Sequence, residues 1–335
     1  MSPPEFAKHW ARQLGASEAS LVQLQGGINN RVYRCGNGSN AHVIKGYAPA
    51  VDGQRDRMQA EVEFLTYAAE VAPQSVPRLV HVDPTLRCVV LEHLHGEAYP
   101  ENVTPAASDI AAAVDFFRRL NADREAARQC IRMDAAEGFL RLTEHIANVR
   151  ERVAGMRTDH LPRATQEEAL ALLRRVQEAT ERVGSRTVAQ IDNGVVPDSI
   201  AADQRYVSPS DFGFHNALRT ATGVKFFDFE FAGWDDPAKV AVDFVLQPRV
   251  PTRNMASPIL NALDDKKRQN VQARCVLMGP VLRLKWVCIL LAVLRPERLA
   301  QLQTTHRQTD VSLTTQQRFK NAAKYLQEES PFGLH

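Results

Sequence analysis

The sequence has few cysteines, and their spacing predicts neither a disulfide framework nor a metal site. Its 335 residues include five cysteines, an odd number, without any C-x-x-C pair. Isolated thiols of this kind are typical of a reducing compartment. Reduced, mostly buried thiols and a cytoplasmic protein are therefore predicted. The cysteines are Cys35, Cys88, Cys130, Cys275 and Cys288.

The sequence also lacks an excess of one charge sign and a long hydrophobic run. The formal net charge is only +2, and the Lys and Arg residues are dispersed, which argues against a nucleic-acid or membrane surface. The longest apolar run, Val287–Leu294, is too short to span a bilayer and predicts a buried helix. Residues 1–15 contain no apolar signal-peptide core. With 44% hydrophobic and 24% charged residues, the composition favours a globular protein with small-molecule chemistry.

Periodicity divides the chain into a mainly β part, residues 1–95, and a larger helical part, residues 96–335. Together they predict the α+β class, because the first part alternates short strands with one main helix and the second is rich in helical patterns. In the first part, helices are predicted at 4–15 and 54–70, and strands within 21–34 and at 41–46, 78–82 and 87–91. In the second part, helices are predicted at 105–121, 135–155, 165–183, 238–247, 259–294 and 310–328, with a loop at 184–206.

The stretch from Ser208 to Asp243 carries the chemical signal. It contains Asp211, then Asn216 five residues later, then Asp228 at the start of an Asp-Phe-Glu run. Two carboxylates and an amide in this order are suited to positioning a hydroxyl nucleophile and holding magnesium beside a triphosphate. A kinase is the first hypothesis.

In this stretch the sequence resembles the aminoglycoside phosphotransferase and choline kinase family of small-molecule kinases. The resemblance is strongest where D-F-E is followed by A-G and D-P, and it extends from Gly26 to about Trp286. It implies a bilobal protein-kinase-like fold: a small β-rich nucleotide-binding lobe with one main helix, and a larger helical lobe with the catalytic loop and acceptor site. The sequence has no G-x-x-x-x-G-K-[ST] P-loop.

Asp211 also begins a D-F-G triplet, which is the magnesium motif of protein kinases. That motif requires an upstream Asp followed by Asn five residues later, and residues 190–206 contain no such pair. The family's catalytic-loop spacing D-x-x-x-x-N fits Asp211 and Asn216 instead. The resemblance then makes Asp211 the base that accepts the proton of the acceptor hydroxyl, and Asn216 and Asp228 the ligands of Mg²⁺.

Lys45 and Glu61 are the next expected members of the site. The resemblance implies that Lys45, on a strand, contacts the α- and β-phosphates and pairs with Glu61 on the following helix. Glu61 lies within an apolar helical stripe, and a carboxylate there needs a cation because an unpaired buried charge is costly. Glu63 is the competing partner, but it points to another side of the helix.

Two further segments are expected to bind ATP or GTP. Gly26 and Gly27, followed by Asn30, resemble the turn that covers the phosphates, although a plain hairpin turn is the alternative. Glu92 to Leu94 resembles the connector between the lobes, where backbone groups recognise the base of the nucleotide; an ordinary strand end is its alternative.

The sequence departs from the family pattern at Pro209, where His usually precedes the catalytic Asp by two residues. Ser208 and Ser210 flank Pro209 and are expected to help hold the turn. The leading hypothesis is a Mg²⁺-dependent kinase that phosphorylates a hydroxyl of a sugar, amino alcohol or aminoglycoside-like acceptor. The alternative is a nucleotide-binding pseudokinase or regulatory module without turnover. The acceptor and the oligomeric state are left open.

Overall fold

The computed structural model describes residues 3–24, 30–50, 53–252, 256–263, 265–299, 308–328 and 332. The chain divides into two compact units, residues 1–138 with 206–235 and residues 139–205 with 236–335. The first unit combines all ten strands of the described residues with four helices, and the second is helical, so the predicted α+β class is confirmed. The predicted boundary after residue 95 falls inside the first unit, which also contains the segment 206–235.

The first unit contains a five-stranded antiparallel sheet in the order β1-β2-β3-β5-β4. Its strands are β1 (Val22–Gln23), β2 (Arg31–Cys35), β3 (His42–Gly46), β4 (Leu79–Asp83) and β5 (Cys88–Glu92). Two helices accompany it, α1 (Glu5–Gln13) and α2 (Arg57–Val71). Helix α1 contacts β3 through Ala11 and Ile44, which are fully buried. The predicted order of strands and helices in this region is therefore confirmed.

Helix α2 begins where Asp56 caps its amino end. The Asp56 carboxylate accepts the backbone N–H groups of Met58 and Gln59, which have no partner inside the helix. Arg87 donates to both oxygens of the same carboxylate at 2.8 and 2.9 Å. These hydrogen bonds outweigh the opposing effect of partial burial and lower the pKa of Asp56. The cap is therefore charged at neutral pH.

The rest of the first unit has two small antiparallel sheets. One has the order β6-β8-β9 and the other pairs β10 with β7. The strands are β6 (Gly96–Ala98), β7 (Tyr206–Ser208), β8 (Ala217–Thr220), β9 (Gly223–Phe226) and β10 (Gly233–Asp235), and the helices are α3 (Ala107–Leu120) and α4 (Arg124–Cys130). Phe116 of α3 stacks on Phe226 of β9 at 5.3 Å, and Phe64 of α2 lies 4.5 Å from Phe229. This aromatic core fixes the β8–β9 hairpin and the Asp-Phe-Glu run against the helices.

The second unit consists of helices around one apolar core. They are α5 (Leu142–Ala154), α6 (Arg163–Asp192), α7 (Pro237–Leu246), α8 (Ala256–Asn261), α9 (Asp265–Leu290) and α10 (Gln308–Gln327). Trp286 packs against this core and donates its indole N–H to Asp243 at 3.1 Å. Lys285 donates to both oxygens of Asp243 at 2.7 Å, which gives that buried carboxylate a structural role. No helix within the described ranges is long and apolar enough to cross a membrane.

Arg274 connects helix α9 to three other segments of the second unit. Only 3% of Arg274 is exposed, and its Nε donates to the buried Asp236 at 2.5 Å. Its remaining nitrogens donate to the backbone carbonyls of Leu140, Pro197 and Asp198 at 2.8–3.1 Å. The planar guanidinium thus satisfies four acceptors at once, a pattern that lysine cannot reproduce.

The predicted loop at 184–206 is wrong in its first half, because α6 continues to Asp192. Gly184 lies inside α6, where a Cβ would lie 3.1 Å from the Cγ2 of Ile146 on α5. The glycine therefore permits close helix packing, which compensates for its low helix propensity. Residues 135–141, predicted as helix, precede α5, and the short elements α4 and β6–β10 were not predicted.

Candidate active site

Lys45 and Glu61 form a buried ion pair in the first unit. Lys45 Nζ lies 2.5 Å from Glu61 Oε2, and only 5% of Lys45 and 1% of Glu61 are exposed. Tyr47 donates its hydroxyl to the same oxygen at 2.6 Å, and the Phe229 backbone N–H donates to Oε1 at 3.3 Å. The competing candidate, Glu63, accepts from Gln59 instead. The Glu61 carboxylate therefore has the partners that a buried charge requires.

Lys45 also binds Asp228, the first residue of the Asp-Phe-Glu run. Its Nζ lies 2.5 Å from Asp228 Oδ1. Burial lowers the pKa of Lys45, but the negative charges of Glu61, Asp228 and Glu230 outweigh burial and raise it above the ordinary value. Lys45 is thus a permanently charged group that connects β3, α2 and the segment after β9.

The β8–β9 hairpin brings Asn216 and Asp228 to the same end of one structural element. Ala217 pairs with Phe226, and the Phe227 N–H donates to the Asn216 carbonyl at 3.0 Å. Asp228 follows with φ of 69°, the left-handed conformation that few non-glycine residues adopt. Such a conformation persists only where surrounding contacts hold it, and here Lys45 supplies one.

Asp211 and Asn216 are in direct contact. The Asn216 side-chain amide donates to the Asp211 carbonyl at 3.0 Å and to its carboxylate Oδ2 at 3.1 Å. The other carboxylate oxygen, Oδ1, lies 3.0 Å from His215 Nε2. The D-x-x-x-x-N spacing thus closes a short loop in which the amide orients the carboxylate. The Asp211 side chain remains 38% exposed, so it is accessible from solvent.

The turn around Pro209 is held by the neighbouring serines. Ser208 ends β7, is buried, and accepts the Ser210 N–H on its hydroxyl at 2.9 Å. Ser210 has φ of 64°, and its carbonyl accepts the Phe212 N–H. A hydroxyl acceptor and a fixed proline ring therefore define the backbone that leads into Asp211.

Glu230, the third residue of the Asp-Phe-Glu run, is a buried carboxylate that the sequence did not single out. Only 3% of it is exposed, and it accepts a hydrogen bond from the Asn30 side chain. Burial raises the pKa of Glu230, while Lys45 and Asn30 act in the opposite direction. Asn30 is the described end of the predicted phosphate-covering turn. Gly26 and Gly27 lie outside the described residues.

Glu92 and Leu94 begin the connector between β5 and β6. The Glu92 N–H donates to the Arg78 carbonyl at 2.9 Å, and the Glu92 carboxylate lies 3.3 Å from Lys225 Nζ. The N–H and side chain of Glu92 are thus engaged within the protein.

The donor chemistry of Asn216 and Asp228 fits a magnesium ion. Because Asn216 directs its NH₂ group at Asp211, its carbonyl oxygen is the side-chain atom left for a cation. Within the described ranges, no group of three or more His, Cys, Asp and Glu side chains forms a metal site. Mg²⁺ usually keeps several waters and binds through one or two carboxylates together with substrate phosphates. The two oxygen donors Asn216 and Asp228 are therefore suited to a Mg²⁺ ion that is also bound by the phosphates of a nucleotide.

The fold is shared with small-molecule kinases of known structure. The sequence matches no protein-family model and no curated protein. The structure is similar to a choline kinase from Streptococcus pneumoniae (TM-score 0.53, 15% identity, 95% of this chain and 96% of that chain). It is also similar to an ethanolamine kinase from Plasmodium vivax (TM-score 0.54, 14% identity, 94% of this chain and 85% of that chain). A third similar structure is a spectinomycin phosphotransferase in complex with ADP and spectinomycin (TM-score 0.52, 11% identity, 92% of this chain and 93% of that chain). The predicted protein-kinase-like fold is confirmed.

Proposed function

We propose that this protein is a Mg²⁺-dependent kinase that transfers the γ-phosphate of ATP or GTP to a hydroxyl group of a small molecule. The observation that carries the proposal is the linkage centred on Lys45, which binds both Glu61 and Asp228, two residues after the end of β9. The β8–β9 hairpin follows Asn216, whose amide holds Asp211. The residues proposed as cation, metal ligands and base thus lie within one unit.

Each residue has a distinct role in this proposal. Asp211 accepts the proton of the acceptor hydroxyl and orients its oxygen towards the γ-phosphorus. Asn216 and Asp228 hold Mg²⁺, which offsets negative charge on the phosphates when bound. Lys45 contacts the α- and β-phosphates, and Glu61 fixes the direction of its side chain. The buried, fully satisfied Glu61 carboxylate supports that positioning role.

The nucleotide is proposed to lie between two flanking segments of the first unit. Gly26, Gly27 and Asn30 would cover its phosphates, and the backbone of Glu92 and Leu94 would recognise its base. The contact between Asn30 and Glu230 supports this arrangement, because it ties the end of the turn to the Asp-Phe-Glu run.

The acceptor is proposed to be a sugar, an amino alcohol or an aminoglycoside-like compound. Choline kinase, ethanolamine kinase and spectinomycin phosphotransferase are among the proteins of similar structure, and their names identify alcohols as acceptors to test. Neither nucleic acid nor a membrane is part of the proposed reaction, and the net charge of +2 is consistent with that.

The proposal is tested by incubating the purified protein with Mg-ATP or Mg-GTP and a panel of amino alcohols, sugars and aminoglycosides. Mass spectrometry would detect an acceptor whose mass has increased by one phosphate. We expect transfer by the wild type and its loss in Asp211→Asn. Asp159→Asn is the matched control, because that side chain is 79% exposed. Nucleotide-dependent thermal stabilisation without transfer to any compound would favour a pseudokinase or regulatory module.

A further inference from the structure

His215 lies against the proposed base from the side opposite to Asn216. Its Nε2 is 3.0 Å from Asp211 Oδ1, whereas the Asn216 amide is 3.1 Å from Oδ2. Both oxygens of the carboxylate are thus held by different side chains. A carboxylate held at one oxygen can still rotate about its χ2 angle, which is a broad torsion, but one held at both oxygens has a fixed plane.

The surroundings of His215 show that this hydrogen bond orients the ring. The side chain is only 7% exposed, and among the described residues its Nδ1 is buried without a hydrogen-bond partner. A carboxylate oxygen accepts but does not donate, so Nε2 carries the proton in this bond. The imidazole therefore has one polar contact in the described part of the chain, and that contact is with Asp211.

The preceding turn holds the backbone that leads into Asp211. Pro209 has no side-chain donor, and the Ser208 hydroxyl accepts the Ser210 N–H and so holds the backbone. His215, which follows the Asp, donates to Asp211 Oδ1, because the short helical turn at Phe214–Asn216 folds its ring back towards Asp211.

We propose that His215 is a positioning residue that fixes the plane of the Asp211 carboxylate through Nε2–H and thereby aims the base at the acceptor hydroxyl. This inference rests on the proposed kinase function and adds a specific residue to it. Loss of the donor is expected to lower kcat while leaving the KM for the nucleotide nearly unchanged. The reason is that the misplaced group acts on the acceptor and does not contact the nucleotide.

The test compares His215→Gln with His215→Met in steady-state kinetics, using an acceptor from the panel that the wild type phosphorylates. The glutamine amide nitrogen reaches approximately as far as Nε2 and can donate, whereas methionine fills the space without a donor. We expect kcat to fall about 10- to 100-fold in His215→Met and to stay within about threefold of wild type in His215→Gln, each with a nucleotide KM within about twofold. His215→Asn, whose amide is too short to reach Asp211, is expected to behave like the methionine variant.

Three results would overturn the inference, and they differ from a failure of the function itself. Equal kcat in wild type and His215→Met would show that the ring has only a packing role. A glutamine variant as slow as the methionine variant would show that the donor is irrelevant. In ¹⁵N NMR of the imidazoles, a His215 ring protonated at Nδ1 alone would exclude the hydrogen bond without any need for turnover. Absence of transfer by the wild type would instead contradict the proposed function, and this inference with it.

Discussion

Replacement of Lys45 is expected to destabilise the first unit more than replacement of Glu61. Lys45→Met leaves Glu61 without its cation and removes the same cation from Asp228, so it is expected to cost about 5 kcal/mol, the upper end for breaking a buried ion pair. Glu61→Gln leaves Lys45 bound to Asp228, and Gln still accepts one hydrogen bond, so its cost is expected to be about 2–3 kcal/mol. In the double variant the stranded Glu61 charge is absent, so the cost of the double variant should be about 2 kcal/mol less than the sum of the two single costs.

Urea unfolding at pH 7, followed by tryptophan fluorescence, measures these differences. The chain has three tryptophans, and Trp10 and Trp234 belong to the first unit. A Trp286→Phe background therefore restricts the signal to that unit. If Lys45→Met cost less than Glu61→Gln, or if the two effects were simply additive, the account of Lys45 as the shared cation of two carboxylates would be refuted.

Three other changes test contacts that position the fold and the site. Arg274→Met removes the cation beside the buried Asp236 and takes one hydrogen bond from each of three backbone carbonyls, so a loss of about 3–5 kcal/mol is expected in urea unfolding, against less than about 0.5 kcal/mol for the exposed Arg174→Met. Asp56→Ala is expected to cost about 1 kcal/mol at pH 7. Arg87 and the backbone hydrogen bonds of the cap lower the folded-state pKa of Asp56. The stability difference between wild type and Asp56→Ala should therefore be fully present above the unfolded-state pKa and vanish as the pH falls through the folded-state pKa. Unfolding curves at several acidic pH values would measure this. Ser210→Gly removes a left-handed non-glycine residue and is expected to raise the thermal midpoint, by the equivalent of about 1 kcal/mol; a lowered midpoint would mean that the serine side chain holds the turn.

The parts of the site that sequence could predict are those fixed by short spacing or by a burial cost. Asp211 and Asn216 lie five residues apart in a turn, so their contact is a local consequence of the chain. Glu61 within an apolar helix face requires a cation, and Lys45 is the one that the structure supplies. Both expectations need only local geometry and one energetic argument.

The contacts that sequence could not predict join distant segments or depend on side-chain direction. Lys45 meets Asp228 across 183 residues, and Asn30 meets Glu230 across 200 residues. Neither pair has a periodicity or spacing that would signal it. His215 lies in no metal-ligand spacing in the sequence, and its partner is a carboxylate four residues earlier, which only the turn conformation shows.

Phosphate transfer by two single-site variants tests the central claim most directly. With one accepted alcohol and Mg-ATP, the account predicts that Asp211→Asn lowers kcat by about 10²- to 10⁴-fold while Mg-ATP affinity, measured by calorimetry, stays near the wild-type value. Asp228→Asn should lose both transfer and the magnesium dependence of nucleotide binding. Transfer at the wild-type rate by Asp211→Asn, or magnesium-dependent nucleotide binding that is unaffected by Asp228→Asn, would contradict the claim that this hairpin is a phosphoryl-transfer site.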